Sequence, residues 1–262
     1  MAGYMRLELN GQIATVTFDR PDHRNAIPYE GWLELKCIAH DLAEDSSVKV
    51  IVFTGSGDDA FSSGADIKDF EIHRSSSDSA VKYAEAFDGA LDAVEAILKP
   101  TVSLIKGICV GGGCELSLAT DIRIAAHNSR FGIPVARLGI LIGYSEMRRL
   151  VALVGPGNAS YLLMSGRLVE ADEAMRIGLV NMIISTGSID EYVHSFVREV
   201  ADLAPLSHKR HKEIMRTTLQ NPLFGGLTPE QKRLPLTNFD SEDFKEGCRA
   251  FLERRSPSFK GI

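Results

Sequence analysis

Two glycine-bearing segments of this 262-residue chain carry residue types that can polarise a carbonyl: residues 61–68, FSSGADIK, and residues 107–115, GICVGGGCE. Each follows a short apolar run, 48–54 and 101–105, with the pattern of a buried strand, and each leads into a stretch with helical character. A flexible turn between a strand end and a helix start leaves backbone N–H groups unpaired and directed at the space beyond the strands. Two such donors converging on one oxygen make an oxyanion hole, which stabilises a carbonyl becoming an enolate or a tetrahedral centre; losing one donor typically costs about 2.7–4 kcal/mol. Glycines 111–113 also suit close packing of a strand against a helix, and residue types alone leave both readings open.

Other chemistries lack their signatures. There is no GxxxxGK[ST] phosphate loop, and the Gly55/Gly57 pair lacks the third glycine of a dinucleotide fingerprint. The hydrolase elbow GxSxG and the zinc helix HExxH are absent. His208 and His211 have helical spacing but no carboxylate between them, which fits a solvated basic face. Cys37, Cys109, Cys114 and Cys248 match neither CxxC pairs nor a zinc pattern, so they read as reduced, structural and buried. No metal site is expected.

Composition narrows the classes further. With 29 Lys+Arg against 35 Asp+Glu the net charge is −6, and no basic stripe interleaves with aromatics, so nucleic acid is not an expected partner. The longest apolar runs, such as 150–154, are far short of the roughly 20 residues that a membrane helix needs. Residues 1–8 carry Arg6 and Glu8 without an apolar stretch, so no secretory signal is read and a cytoplasmic setting is expected.

The elements that must position these turns alternate along the first 190 residues. Residues 12–19, 48–54, 101–105 and 121–126 read as strands. Residues 28–44 read as an amphipathic helix with Pro28 at its first position and Trp32, Leu35, Ile38, Ala39 and Leu42 on one stripe. Residues 78–98 read as another, with Val81, Ala84, Phe87, Leu91, Val94 and Ile97 in register, after a surface loop at 75–77. Strand signals then stop. Residues 188–204, 206–220 and 241–254 read as helices, with a loop at 221–228. The fold class is therefore α/β, divided into a core over 1–190 and a helical region over 191–262.

Taken together, the segments resemble the crotonase, or enoyl-CoA hydratase/isomerase, superfamily. The resemblance runs through FDRP at 18–21 and RNA at 24–26, the two glycine segments, TDIRIA at 120–125 and FGIP at 131–134. It continues through LLMSGR at 162–167 and ADEAMRIGLV at 171–180 to FLERRSPSFK at 251–260. It implies a spiral of ββα units and a C-terminal helical region that mediates trimerisation, with homo-trimers or hexamers as dimers of trimers. It implies acyl-CoA thioester substrates and no separate cofactor, CoA entering as part of the substrate. The thioester oxygen would be held by the N–H groups of Ala65 and Gly112. Arg24, Asn25, Ala26, Ser63, Ala65, Asp66, Ile67, Gly111, Pro134 and Val135 match substrate- and CoA-binding positions of the family. Phe259 and Lys260 match C-terminal residues that contact CoA, sometimes across the trimer. Residues 71–86 match the part of the family that lines the acyl pocket.

The family's hydratases share proton transfer between two glutamates, one in GGGxE, matched by Glu115, and one directly after the proline of FGxPE. This chain has Val135 at the second position, and valine transfers no proton. Glu146, eleven residues later, is the nearest carboxylate in sequence, and Tyr144 offers a hydroxyl. Glu146 also suits a helix N-terminus and a pairing with Arg149. Hydration with Glu115 as acid/base is the first reading. Decarboxylation of a methylmalonyl- or ethylmalonyl-CoA through the same enolate is the alternative, with double-bond isomerisation or acyl-CoA binding without catalysis behind it.

Overall fold

Strands that pair in register and helices that cover them arise from the runs described above, in a computed structural model that describes residues 3–221, 223 and 225–262. In chain order the strands are β1 (Met5–Asn10), β2 (Ile13–Phe18), β3 (Val50–Gly55), β4 (Ala60–Ser62) and β5 (Thr101–Ile105). They continue with β6 (Ile108–Val110), β7 (Ile122–Ala126), β8 (Arg130–Gly132), β9 (Val169–Glu170) and β10 (Met182–Ile184). The α-helices are α1 (Tyr29–Glu44), α2 (Phe70–His73), α3 (Ser77–Ala96), α4 (Gly112–Leu118) and α5 (Tyr144–Ser165). Then come α6 (Ala171–Arg176), α7 (Ile189–Ala201), α8 (Pro205–Gln220), α9 (Pro229–Thr237) and α10 (Glu242–Glu253).

One sheet has the order β1-β2-β3-β5-β7-β10 and a second has β4-β6-β8-β9. The consecutive pairs β3–β4, β5–β6 and β7–β8 each contribute one strand to either sheet, and neighbours from successive pairs run parallel. The chain therefore advances one strand in both sheets per turn, the spiral of ββα units. Period-2 alternation in β3 explains how the larger sheet is covered on both faces. Ile51 and Phe53 join a core with Trp32 and Leu35 of α1 and Leu91 of α3. Val50 and Val52 join a second core with Ile189, Val193 and Val197, which repeat every fourth residue along α7. The first C-terminal helix is thus packed on the sheet, and the boundary read at 190/191 falls inside it.

Several readings shift. Pro28 is the extended N-cap of α1 rather than its first residue. Ser77 opens α3 instead of lying in a loop, because Ser76 caps it in a reciprocal pair with Ser79. Val81 is 55% exposed and leaves the stripe, whereas Leu91, Val94 and Ile97 are buried. Cys37 and Cys248 are exposed, so only Cys109 and Cys114 are packed as small hydrophobes. α5 carries no clear sequence signal because Gly155-Pro156 interrupts it; Gly155 has φ 74°, so two helical segments meet at a kink. Pro229 and Pro235 mask α9 in the sequence, yet Thr228 and Gln231 cap it reciprocally. The expected loop at 221–228 includes residues 222 and 224, which lie outside the described residues.

Candidate active site

The first glycine segment is fixed by a buried asparagine. Asn25 is fully buried at φ 54°, a left-handed conformation that asparagine tolerates better than most residues. Its Nδ2 donates to the carbonyls of Ser56 (3.0 Å) and Ala60 (2.7 Å), and its Oδ1 accepts from the Arg20 N–H (3.1 Å). Its own carbonyl accepts from Ser62 Oγ (2.8 Å), which in turn accepts from the Gly64 N–H (3.1 Å). Next to it, Ser63 N–H donates to the Arg24 carbonyl, Ile27 N–H to Gly64 and Asp66 N–H to Ile27. Arg20 Nη1 closes the clamp on the Ala26 carbonyl (2.8 Å) and Asp66 Oδ2 (3.0 Å).

Residues 24–27 and 62–66 are therefore one tied unit. Asn25→Ala would strand several buried groups at about 1–3 kcal/mol each, partly relieved by water, so we expect a loss of about 2 kcal/mol in denaturant unfolding. A variant as stable as the parent would contradict this account of the clamp.

Bridging leaves the Ala65 N–H without an acceptor among the described residues, since the hydrogen bonds to Ile27 on either side use Gly64 and Asp66. Gly112 is the first residue of α4, and its N–H likewise has no acceptor there. The two amides approach closely: a Cβ on Gly112 would lie 3.4 Å from the Ala65 nitrogen, and one on Gly64 would lie 2.7 Å from the Gly112 nitrogen. Gly111 turns the chain into α4 at φ 55°, holding the Gly132 carbonyl with its N–H (2.9 Å). Gly113 brings α4 against β4, where a side chain would strike the Ser62 backbone. At the other end of α4, the buried Arg123 guanidinium binds the carbonyls of Ser117 and Thr120, placing a cation at the helix C-terminus.

Ala65 and Gly112 line a cavity of about 310 Å³ together with Ser63, Ile67, Gly111 and Glu115. Pro134 and Val135 form part of its wall, and Phe70, Ala84, Phe87, Leu138 and Ile140 to Ile142 make much of the rest apolar. Glu115 is 4% exposed, and its carboxyl makes no hydrogen bond to a described residue. Burial, then the nearby Glu146 charge, push its pKa up to about 8, against the opposing pull of Arg74.

Other candidates lie elsewhere. Tyr144, at the start of α5, is 98% exposed and does not line the cavity, because its helix begins with that face to the outside. Glu146 is buried behind the wall: its Oε1 accepts from Arg149 Nη1 (3.0 Å), while Oε2 has no hydrogen-bond partner among the described residues and lies against Gly143. Arg149 also holds Glu95 (2.7 Å) and Asp92. Glu146 thus acts on the cavity by charge rather than by contact. Arg24 is exposed outside the cavity, and the Asn25, Ala26 and Asp66 groups are spent on the clamp. Phe259 packs over Gly247, and the Lys260 N–H is held by Asp243 (2.8 Å), so within one chain the C-terminal pair is anchored on α10 away from the cavity.

Two further polar residues line the cavity, Arg74 within the segment read at 71–86 and Asp88 beyond it. Arg74 follows α2 and stacks on Phe70 and Tyr83, its Cζ 4.7 and 4.1 Å from the ring centroids. Asp88 lies on α3 one turn after Ala84, which also lines the cavity. The signal was available: a carboxylate beside the apolar stripe, four residues past one of its members.

A paired main-chain donor site and a buried carboxyl that line one cavity, set in a two-sheet spiral, define a class as well as a shape. Residues 8–262 match the family model described as enoyl-CoA hydratase/isomerase, and the chain belongs to that family. A short-chain-enoyl-CoA hydratase of Clostridium acetobutylicum is 32% identical, aligning over 95% of this chain and 94% of its own length. A crotonyl-CoA hydratase of Syntrophomonas wolfei is 34% identical over 97% and 96%. The crystal structure of an enoyl-CoA hydratase/carnithine racemase from Magnetospirillum magneticum superposes with a TM-score of 0.95 at 32% identity, covering 100% of this chain and 97% of the other.

Proposed function

We propose that the protein is an acyl-CoA-acting lyase of the hydratase type, which binds an enoyl thioester with its carbonyl oxygen on the Ala65 and Gly112 N–H groups. The observation that carries this reading is the close approach of those two acceptor-free amides in a cavity that the buried Glu115 also lines. Donors fixed before the reaction stabilise charge as it forms on the thioester oxygen. Glu115, held largely protonated near neutrality, is suited to deliver a proton to the carbon beside that carbonyl. Relatives named as hydratases of short enoyl-CoAs support the substrate class.

The test is incubation of the native protein with short, medium and branched enoyl-CoAs and with methylmalonyl- and ethylmalonyl-CoA, read by mass spectrometry. Gain of water on an enoyl thioester is the expected result. Loss of CO₂ without hydration would replace this reading with the decarboxylase, and binding without any turnover would replace it with a carrier.

A further inference from the structure

With Val135 in the wall, the cavity lacks a carboxylate where the family's hydratases place their second one, but it does not lack a second carboxylate. Asp88 of α3 lines the same space as Glu115 and makes no hydrogen bond or ion pair with a described residue. Its helix is set tightly against the donor turn, since a Cβ on Gly112 would meet Phe87 Cε2 at 3.0 Å, and Asp88 is the next residue. Further along the helix, Asp92 and Glu95 are occupied by Arg149. Of these three acidic residues Asp88 is the one left open to a ligand.

We propose that Asp88 is the second proton-transferring carboxylate of this site, acting with Glu115 on the two carbons of the enoyl double bond. The proposal rests on the hydratase reading above. Glu115 lies three residues past Gly112 and serves the carbon next to the thioester; Asp88 lines the same cavity, as do Ala84 and Arg74. In the step, the water oxygen bonds to Cβ and the π pair moves through Cα onto the thioester oxygen. Asp88 takes the proton released by the water, and Glu115 gives its proton to Cα. Transfer of the captured proton from Asp88 back to Glu115 through solvent closes the cycle with one water added.

The surrounding charges fit these roles. Arg74 faces Asp88 from the end of α2, Glu146 and Arg149 from α5, and Asp92 from its own helix, while Lys36 of α1 reaches Gly89 beside it. Partial burial, then the Glu146 and Asp92 charges, raise Asp88 to about 6, against Arg149 and Arg74. Glu115 stands at about 8, so between these values the base is ionised and the acid protonated.

The experiment is the pH dependence of crotonyl-CoA hydration by the native chain and by Asp88→Asn, Asp88→Ala and Asp88→Glu. The native profile should be a bell with limbs near 6 and 8. Asn and Ala should lower kcat by about 10²-fold and remove the acidic limb, with KM and butyryl-CoA affinity held within about twofold. Glu should keep that limb. Native-level kcat in both Asn and Ala variants, or a fall in kcat with both limbs intact, overturns the role of Asp88 and leaves the hydratase reading standing. A native protein that hydrates no enoyl thioester overturns both.

Discussion

Glu115→Gln is expected to lower kcat for enoyl-CoA hydration by about 10²–10⁴-fold while leaving acyl-CoA binding nearly unchanged. Glutamine keeps the shape of the side chain and its place against the cavity, but it has no proton to exchange at the pH of the assay. The prediction has a second, independent readout in stability. A carboxyl with an ordinary pKa of 4.5 that is raised to about 8 on folding binds a proton in the folded state that the unfolded chain has released. Its ionisation therefore favours unfolding progressively as pH rises from 4.5 through about 8, and below 4.5 the effect is gone. Glu115→Gln removes this dependence. The variant should exceed its parent in unfolding free energy at pH 7 by on the order of 3 kcal/mol, and the advantage should shrink toward pH 4. Parallel stability curves for the two proteins would show that Glu115 titrates as it does in water, and undiminished hydration would remove it from the chemistry.

Gly64→Ala should cost about 10²–10³ in kcat, the scale of losing one oxyanion donor. Gly64 sits at φ 93°, where an L side chain is strained, and its added carbon would lie 2.7 Å from the Gly112 nitrogen and 2.8 Å from the Val110 carbonyl. Relief requires the two turns to separate, which pulls the Ala65 and Gly112 amides out of register. Because the damage falls on charge stabilisation, kcat should drop with CoA affinity much less affected. Gly57→Ala is a useful control: Gly57 also has positive φ, at 77°, but a Cβ there meets no atom of the described residues within 4 Å. It should lose some stability and keep its turnover. Equal kinetic losses in both variants would mean that backbone strain, and not donor placement, sets the rate.

Much of this arrangement was legible because the residues involved are constrained by local rules. The alternating run at 12–19 and the short strand-like runs at 48–54, 101–105 and 121–126 located β2, β3, β5 and β7 to within two residues, and the helix read at 188–204 is α7. The two donor turns announced themselves through glycines. What could not be read depends on contacts distant in sequence. Glu146 is near the gap left by Val135 in sequence, but Arg149 draws it behind the wall. Tyr144 is closer still, yet the direction in which α5 leaves its turn puts the ring outside. Asp88 looks like any solvated charge on an amphipathic helix until α3 is laid across α4 through Phe87. The part of the wall read at 71–86 includes Arg74 and Ala84 but stops short of Phe87 and Asp88, which complete it.

The inward amides of Ala65 and Gly112 belong to the main chain, and every amino acid except proline supplies the same N–H. A point mutation therefore has almost no means of deleting the donors themselves and can reach them only indirectly, through glycines such as Gly64 and Gly113 whose missing side chains let the turns meet. The facing wall is the reverse case, since Phe70, Arg74, Ala84 and Asp88 meet the cavity through side chains that one codon can replace. One half of the cavity is thereby insensitive to single substitutions, and the other changes shape and charge with each side chain replaced. Valine at position 135 is one such side chain: it sets part of the wall without touching the main-chain N–H groups of the two glycine turns.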